Sequence, residues 1–434
     1  MPLPIICAYA CLHQCLMSYR DLFSKPQYKY FVIVLLGFIQ CQQVRTLCGL
    51  QRCVSQGGSL SGLSRFLARA PWETEALVAR WQERFHTLMR PVVRADRARQ
   101  EQERPASRGR PTLPVVTGYL IGDDSIIHKE KGRKMEGIGK HYSTTYERGV
   151  CGHSLVQGLY LLLQRRCPLA PRLYRQQHIC EREQVPFQSK IDLMIETIQG
   201  FEPVVGTLTH VLLDSWYSAK TIWRAARERG FLITTGLKSN RSLCIVDESQ
   251  PNGWRWQRLS EYAADLQDED YVRLLWPRGE EPETVCVHVV STRVRKLYCC
   301  QVIIVRRSLH EPLSQARFWA SSDLKASPER LLEHICARWD IEVLFADGKE
   351  ELGLDQYQLL SATALVRFWS LALLAYAFLD EERARLQQQW QRPVTIGETR
   401  REIQRIHRRQ FLLWLRQQFQ QGITDESLFE LLAA

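Results

Sequence analysis

Six residues carry side chains whose types and spacing could do chemistry together. In the stretch Ile335-Cys-Ala-Arg338-Trp339-Asp-Ile-Glu342-Val-Leu-Phe-Ala-Asp-Gly-Lys349, Arg338 and Glu342 are four apart, and Glu342 and Lys349 seven apart. On a helix all three share one face. Alone, such a set is an ordinary surface ion pair. Two acidic positions far upstream change that reading. Asp123 and Asp124 follow the apolar run 115–121, and Asp214 follows the run 210–213. In an α/β sheet, chemistry gathers outside the carboxyl ends of the strands, where these aspartates fall. Carboxylates brought together there repel one another unless a cation neutralises them. Hard oxygen donors with few imidazoles nearby suit Mg2+ or Mn2+ better than zinc. Two such ions, roughly 4 Å apart, activate a water and stabilise the leaving oxygen of a phosphodiester.

The elements that would position these groups can be read in outline. Strand-like runs at 115–121, 150–163, 210–213 and 231–235 alternate with helical patterns at 191–199 and 218–229, which predicts a mostly parallel sheet. A single helix with the stripe Leu331, Leu332, Ile335, Trp339, Ile341, Leu344 and Phe345 would carry Glu342 to that sheet. Residues 239–317 hold short alternating runs separated by Pro251-Asn-Gly253 and Pro277-Arg-Gly279, the pattern of an antiparallel β insertion. Residues 1–90 read as helical, with a Gly57–Gly58 turn, a serine cap at Ser59 and Pro71 in the first turn of a further helix. A helix bearing Arg65 and Arg69 after a glycine turn suits a helix-turn-helix DNA reader and a generic bundle equally well. Residues 91–112, rich in Arg and Pro, read as a basic linker. The core resumes over 318–380 after its first part at 113–238, and 381–434 is a helical C-terminal region.

A chain of 434 residues, 45% hydrophobic and 24% charged, has the composition of a globular protein of two or three domains. Its 58 Lys and Arg against 47 Asp and Glu leave a net charge of +11, which favours a polyanionic partner. The fourteen cysteines are scattered, several of them inside apolar helical patterns, and read as small buried hydrophobes in a reducing cytoplasm. Residues 1–16 lack a basic n-region, and the apolar run 30–39 is about half of what a bilayer span requires, so neither a signal peptide nor a membrane is expected.

Three motifs in order carry a family resemblance: Asp124-Ser125, then Leu213-Asp214-Ser-Trp-Tyr217, then Arg338-Trp339-x-Ile-Glu342-x6-Lys349. Together they resemble the catalytic set of DDE transposases with an RNase H-like core. More narrowly, they are similar to the bacterial insertion-sequence group marked by Tyr-x2-Arg-x3-Glu-x6-Lys. Arg338, Glu342 and Lys349 fall on that spacing, while Ile335 stands where the signature has tyrosine. The Gly- and Lys-rich stretch 129–142 and Gly353-Leu-Asp-Gln-Tyr-Gln358 also look like this group, as does the β insertion ahead of Glu342.

The resemblance implies an RNase H-like mixed sheet, with Asp124, Asp214 and Glu342 as ligands of two Mg2+ or Mn2+ ions. It prefers Asp124 over Asp123 because the family's aspartate directly precedes a hydroxyl residue. Arg338 and Lys349 would hold phosphates near the cleaved end, Trp339 a flipped base, and Lys129, Lys134 and Lys140 the DNA path. The implied activity is cut-and-paste transposition by a cytoplasmic, nucleoid-associated enzyme. It would bind its element's terminal inverted repeats as a homodimer, free a 3′-OH, pass through hairpin ends and join them to target double-stranded DNA. A catalytically inactive DNA-binding derivative and a nuclease that hydrolyses without joining are the alternatives.

Overall fold

The computed structural model describes residues 10–53, 58–103, 115–143, 147–277 and 283–427. Among these residues, seven strands come before the insertion: β1 (Val116–His128), β2 (Gly139–Ser143), β3 (Arg148–Leu162), β4 (Arg165–Pro168), β5 (Arg172–Tyr174), β6 (Thr207–Leu213) and β7 (Leu232–Leu237). Six more follow: β8 (Ser242–Val246), β9 (Trp254–Arg258), β10 (Val272–Leu275), β11 (Thr284–Arg293), β12 (Cys299–Arg306) and β13 (Arg317–Ser321). All but the β8–β9 hairpin join one sheet in the order β10-β11-β12-β13-β7-β6-β1-β3-β2. The outer edge of the long β3 is shared in turn by β2, β5 and β4.

Among the described residues only β1, β6 and β7 run parallel, so the sheet is mixed and not mostly parallel. The stretch between β1 and β3 holds a loop and β2 instead of a crossover helix, so β3 can only return antiparallel. An antiparallel β3–β1 pair beside parallel β6 and β7 is the RNase H-like arrangement. The Val, Ile and Leu runs of β3 and β6 are buried almost continuously because both faces are covered, whereas β1 is half-buried over 123–126, where its acids lie.

The helices pack around this sheet. Five come first: α1 (Ala10–Met17), α2 (Lys25–Gln40), α3 (Leu47–Arg52), α4 (Leu60–Ala68) and α5 (Thr74–Gln102). Within the core and insertion lie α6 (Gln177–Glu183), α7 (Lys190–Gly200), α8 (Lys220–Glu228) and α9 (Leu259–Asp265). The last four are α10 (Pro328–Ala337), α11 (Asp340–Leu352), α12 (Ala362–Trp390) and α13 (Ile396–Gln420). By length and composition α12 could cross a bilayer, yet 83% of its most apolar window is buried against protein. Its Arg367 donates to the carbonyls of Leu67 and Trp72, fastening the N-terminal helices to the core. Asp380, fully buried on the same helix, is paired with Arg165 at 2.7 Å and Arg383 at 2.8 Å. Burial alone would raise its pKa, but the two guanidinium charges hold it below the usual carboxylate range.

Three local expectations are corrected. Residues 91–102, read as linker, continue α5: Arg, Ala, Gln and Glu are good helix formers, and the buried stripe Trp81, Phe85, Met89 and Val93 runs past an exposed Pro91. The rest of that linker, 104–112 with Arg104, Arg108 and Arg110, lies outside the described residues, as does Gly57 of the predicted turn. Pro71 precedes α5 instead of opening it, and Glu73 is the N-cap. The predicted helix over 331–349 is two, α10 and α11, separated at Arg338 and Trp339.

Candidate active site

Strand β1 runs through the aspartates instead of ending before them, so Asp123 and Asp124 point to opposite faces of the sheet. Gly122 on β1 is level with Leu213 on β6, which puts Asp123, within β1, beside Asp214 at the end of its parallel neighbour. Asp214 Oδ1 accepts the N–H groups of Trp216 at 2.9 Å and Tyr217 at 3.3 Å, closing the turn that follows β6. Gly236 on β7 lets that turn lie close: a Cβ there would stand 2.8 Å from the Ser215 nitrogen.

From the other side comes α11. Its first turn is anchored by Asp340, whose Oδ1 accepts Arg166 Nε of β4 at 2.8 Å. Just ahead of it, Arg338 Nη1 lies 3.1 Å from Asp123 Oδ2 and 3.5 Å from Glu342 Oε1, bridging the two carboxylates. The i,i+4 relation read from the sequence therefore survives the helix break. About two turns beyond Glu342, Lys349 Nζ donates to Ser125 Oγ at 2.8 Å, on the same face of β1 as Asp123. Burial holds its pKa below the ordinary lysine value.

The geometry sets the two aspartates apart. Asp124 turns to the opposite face, where Lys190 of α7 lies 2.5 Å from Oδ2 and the Tyr217 hydroxyl donates to Oδ1 at 3.0 Å. Asp123 stands with Arg338 and Glu342, and the charge of Asp214 is felt by Asp123 while that of Asp124 is felt by Asp214. Nothing in the sequence near Lys190 announced it as a partner, since the pair is 66 residues apart.

Burial first, and the charge of Asp214 second, push the Asp123 pKa up to about 8, with Arg338 opposing. Burial likewise raises Asp214. Two desolvated neighbouring carboxylates are unfavourable without positive charge, and oxygen donors of this kind fit a hard divalent cation. Among the described residues, no three Asp, Glu, His or Cys side chains stand close enough to ligate one ion as they lie. Glu342, more exposed than Asp123, is turned toward Arg338. The donor chemistry thus fits an ion that would share or displace the guanidinium. His153, close to this region in sequence, is engaged elsewhere: Nδ1 lies 2.8 Å from the Tyr357 hydroxyl and Nε2 2.9 Å from the Glu136 carbonyl.

A cleft of about 450 Å3 opens beside these groups, lined by Asp214, Ser215, Gly236, Trp319 and Arg338 among others. Trp339, at the helix break, is exposed and not packed in the core. Ile335, at the signature's tyrosine position, is buried with Leu331, Leu332, Val287 and Ile303. A phenol is replaced there by core packing. Lys134 and Lys140 are exposed, but Lys129 is not free for DNA: its ammonium caps the carbonyls of Asp355 and Tyr357 at 2.5 and 2.7 Å.

An RNase H-like sheet with aspartates on two adjoining parallel strands and a glutamate on a following helix defines a protein of the DDE class. The profile of the DDE superfamily endonucleases matches residues 11–266, and that of the transposase DDE domain matches 188–378. The chain belongs to the DDE superfamily of endonucleases. Among solved structures it is similar to a piggyBac transposase in a synaptic complex with hairpin DNA, at 9% identity over 96% of this chain and 77% of that one, with a TM-score of 0.45. No curated protein matches it.

Proposed function

We propose that this DDE protein is a bacterial insertion-sequence transposase that cuts DNA at its element's ends and joins the freed ends to target DNA. The observation that carries the reading is Arg338 lying between Asp123 and Glu342, with Asp214 level with Asp123 on the next parallel strand. Asp123, Asp214 and Glu342 would hold Mg2+ or Mn2+, two ions in the full site. Bound there, the metal supplies charge neutralisation and an activated water for phosphodiester attack. The chain's own groups do the rest. Arg338 presents a planar fork to a phosphate, and Lys349 adds a point charge on the same face. The net charge of +11 draws the polyanion to the protein.

In this reading the substrates are terminal inverted repeats and a double-stranded target. The enzyme works as a homodimer in the cytoplasm, and hairpin ends are the intermediate. The test uses DNA carrying the element's ends with Mg2+ or Mn2+. Nicked ends and products joined to target support transposition; hydrolysed ends alone indicate a nuclease. Asp123→Asn that cuts as well as the wild type would remove the metal-site assignment.

A further inference from the structure

Cys41 caps the end of α2 and Cys53 the end of α3, and the two thiols meet on one carbonyl oxygen. That oxygen, of Gly49, accepts Cys53 Sγ at 3.2 Å and Cys41 Sγ at 3.8 Å. The Cys41 sulfur is also within hydrogen-bonding reach of the Cys53 thiol, and both side chains are buried. Around Cys41 the charge does not balance without it. Arg45 is buried, and its Nη2 donates to the Cys41 carbonyl at 3.1 Å; Arg400 Nη1 reaches the same oxygen at 3.2 Å. Arg400 is paired with Glu351 at 2.8 Å, whereas Arg45 forms no ion pair among the described residues. A buried guanidinium without a counter-charge is costly, and a thiolate on Cys41 supplies one.

The electrostatics of the two sulfurs differ accordingly. The Cys41 thiol is held below its ordinary value, first by the hydrogen bond from Cys53, with burial opposing and both guanidiniums assisting. Cys53 is pushed the other way, as the partner that keeps its proton. Elsewhere burial raises the thiols, those of Cys15 and Cys300 up to about 12. A nucleophilic sulfur beside a protonated thiol is the arrangement of an attacking and a resolving cysteine. This corner is also joined to α11. The Arg45 N–H donates to Gln356 Oε1 at 2.7 Å. Gly353, the left-handed cap of α11, lies against the same arginine: a Cβ there would stand 2.9 Å from the Arg45 Cβ.

We propose that Cys41 and Cys53 are a peroxide-sensitive redox pair whose closure to a disulfide loosens the end of the helix carrying Glu342 and Lys349. Cys41 Sγ, as thiolate, attacks one oxygen of hydrogen peroxide. The O–O bond breaks, an S–O bond forms, and the departing hydroxide takes up a proton to become water. The Cys53 thiol then gives up its proton and attacks the sulfenic sulfur; the S–S bond forms, the S–O bond breaks and a second water leaves. The two sulfurs have lost two electrons, and the peroxide has gained them. A dithiol reverses the change by exchange. Hydrogen peroxide is little larger than water, so it can reach buried sulfurs that a bulky disulfide such as glutathione cannot. The bridge carries no charge, so Arg45 loses its counter-charge, and the backbone that holds Gln356 and the cap of α11 loses its anchor. This chemistry is independent of DNA and goes beyond cutting and joining.

The experiment uses the full chain, first reduced and then treated with a small excess of hydrogen peroxide. Intact mass should fall by two hydrogens, and peptide mapping should place the bridge between Cys41 and Cys53. Dithiothreitol should reverse it. Cys41→Ser and Cys53→Ser should each abolish the mass loss, and in Cys53→Ser dimedone should trap a sulfenic acid on Cys41. Oxidised glutathione should leave the wild type reduced. Amide exchange over residues 349–356 should quicken by about tenfold in the bridged protein and return on reduction. No bridge, a bridge to the half-buried Cys48 instead, or a sulfenic acid on Cys53 in Cys41→Ser would overturn the pair. Conversion by glutathione as fast as by peroxide would overturn the choice of oxidant. A bridge that leaves exchange over 349–356 unchanged would overturn the coupling to α11. Every readout is taken without DNA or metal, so failure here leaves the active-site assignment standing, and cutting that survives Asp123→Asn leaves the pair standing.

Discussion

Replacing Asp123 with Asn should make the metal-free protein more stable at neutral and alkaline pH. In the folded chain its pKa is raised from the ordinary 3.8 to about 8, mainly by burial and then by Asp214. The folded state therefore binds this proton more tightly than the unfolded chain. The resulting stability is fully present below about pH 4 and is lost as pH rises through about 8. At about 1.4 kcal/mol per pKa unit, the raised value bounds the cost of the ionised carboxylate at on the order of 6 kcal/mol. Water entry and small side-chain shifts bring the expected effect to a few kcal/mol. Thermal or urea unfolding at pH 5, 7 and 9, without metal, would measure it. The wild type should lose stability relative to Asp123→Asn along that series. Adding Mg2+ should restore the wild type, since a ligand of the folded state alone stabilises it, and should do little for the variant. Asp124→Asn should keep the Mg2+ response. Parallel pH curves for wild type and Asp123→Asn, or a Mg2+ response lost in Asp124→Asn and kept in Asp123→Asn, would refute the reasoning.

Other perturbations follow from the same geometry. Gly236→Ala places a methyl group 2.8 Å from the Ser215 nitrogen, so the Asp214 turn must shift; cutting should fall by tenfold or more in a cleavage assay while the fold is retained. Asp380→Ala strands Arg165 and Arg383 in the core, and urea unfolding should register a loss of about 3–5 kcal/mol. Lys129→Met uncaps the carbonyls of Asp355 and Tyr357 and should lower the melting temperature while leaving the salt dependence of DNA binding unchanged. Lys134→Ala and Lys140→Ala should do the reverse, each reducing the slope of log affinity against log salt by about one.

How much was legible in the sequence depended on whether the deciding contact was local. The i,i+4 relation of Arg338 and Glu342 was readable because helical spacing alone brings the two together, and it held at 3.5 Å across a break the apolar stripe did not reveal. The β insertion was readable from alternation and turn residues. Which of Asp123 and Asp124 faces Arg338 was not, because it turns on strand phase, and nothing in the run 115–121 signals that the strand continues to His128. Lys129 looked like its neighbours Lys131 and Lys134 in a basic loop; only the fold brings the carbonyls of Asp355 and Tyr357 to its ammonium. Pro91 suggested a linker, but a proline on the exposed side of a helix with a buried stripe beneath it does not end that helix.

The insertion joins the core differently from an appended domain. Strand β13 hydrogen-bonds directly to β7, with Trp319 opposite Gly236 and Ala320 opposite Thr235, and β7 in turn lies against the strand that ends at Asp214. Excising 239–317 would loosen the neighbour that seals β7, leaving five consecutive buried residues on a bare edge able to template chain-to-chain pairing. Trimming this protein to a minimal catalytic fragment should therefore yield aggregates, and amide exchange in β13 should slow and quicken together with that in β6. The strands that enlarge the molecule and the strand that ends in its acid are one cooperative unit.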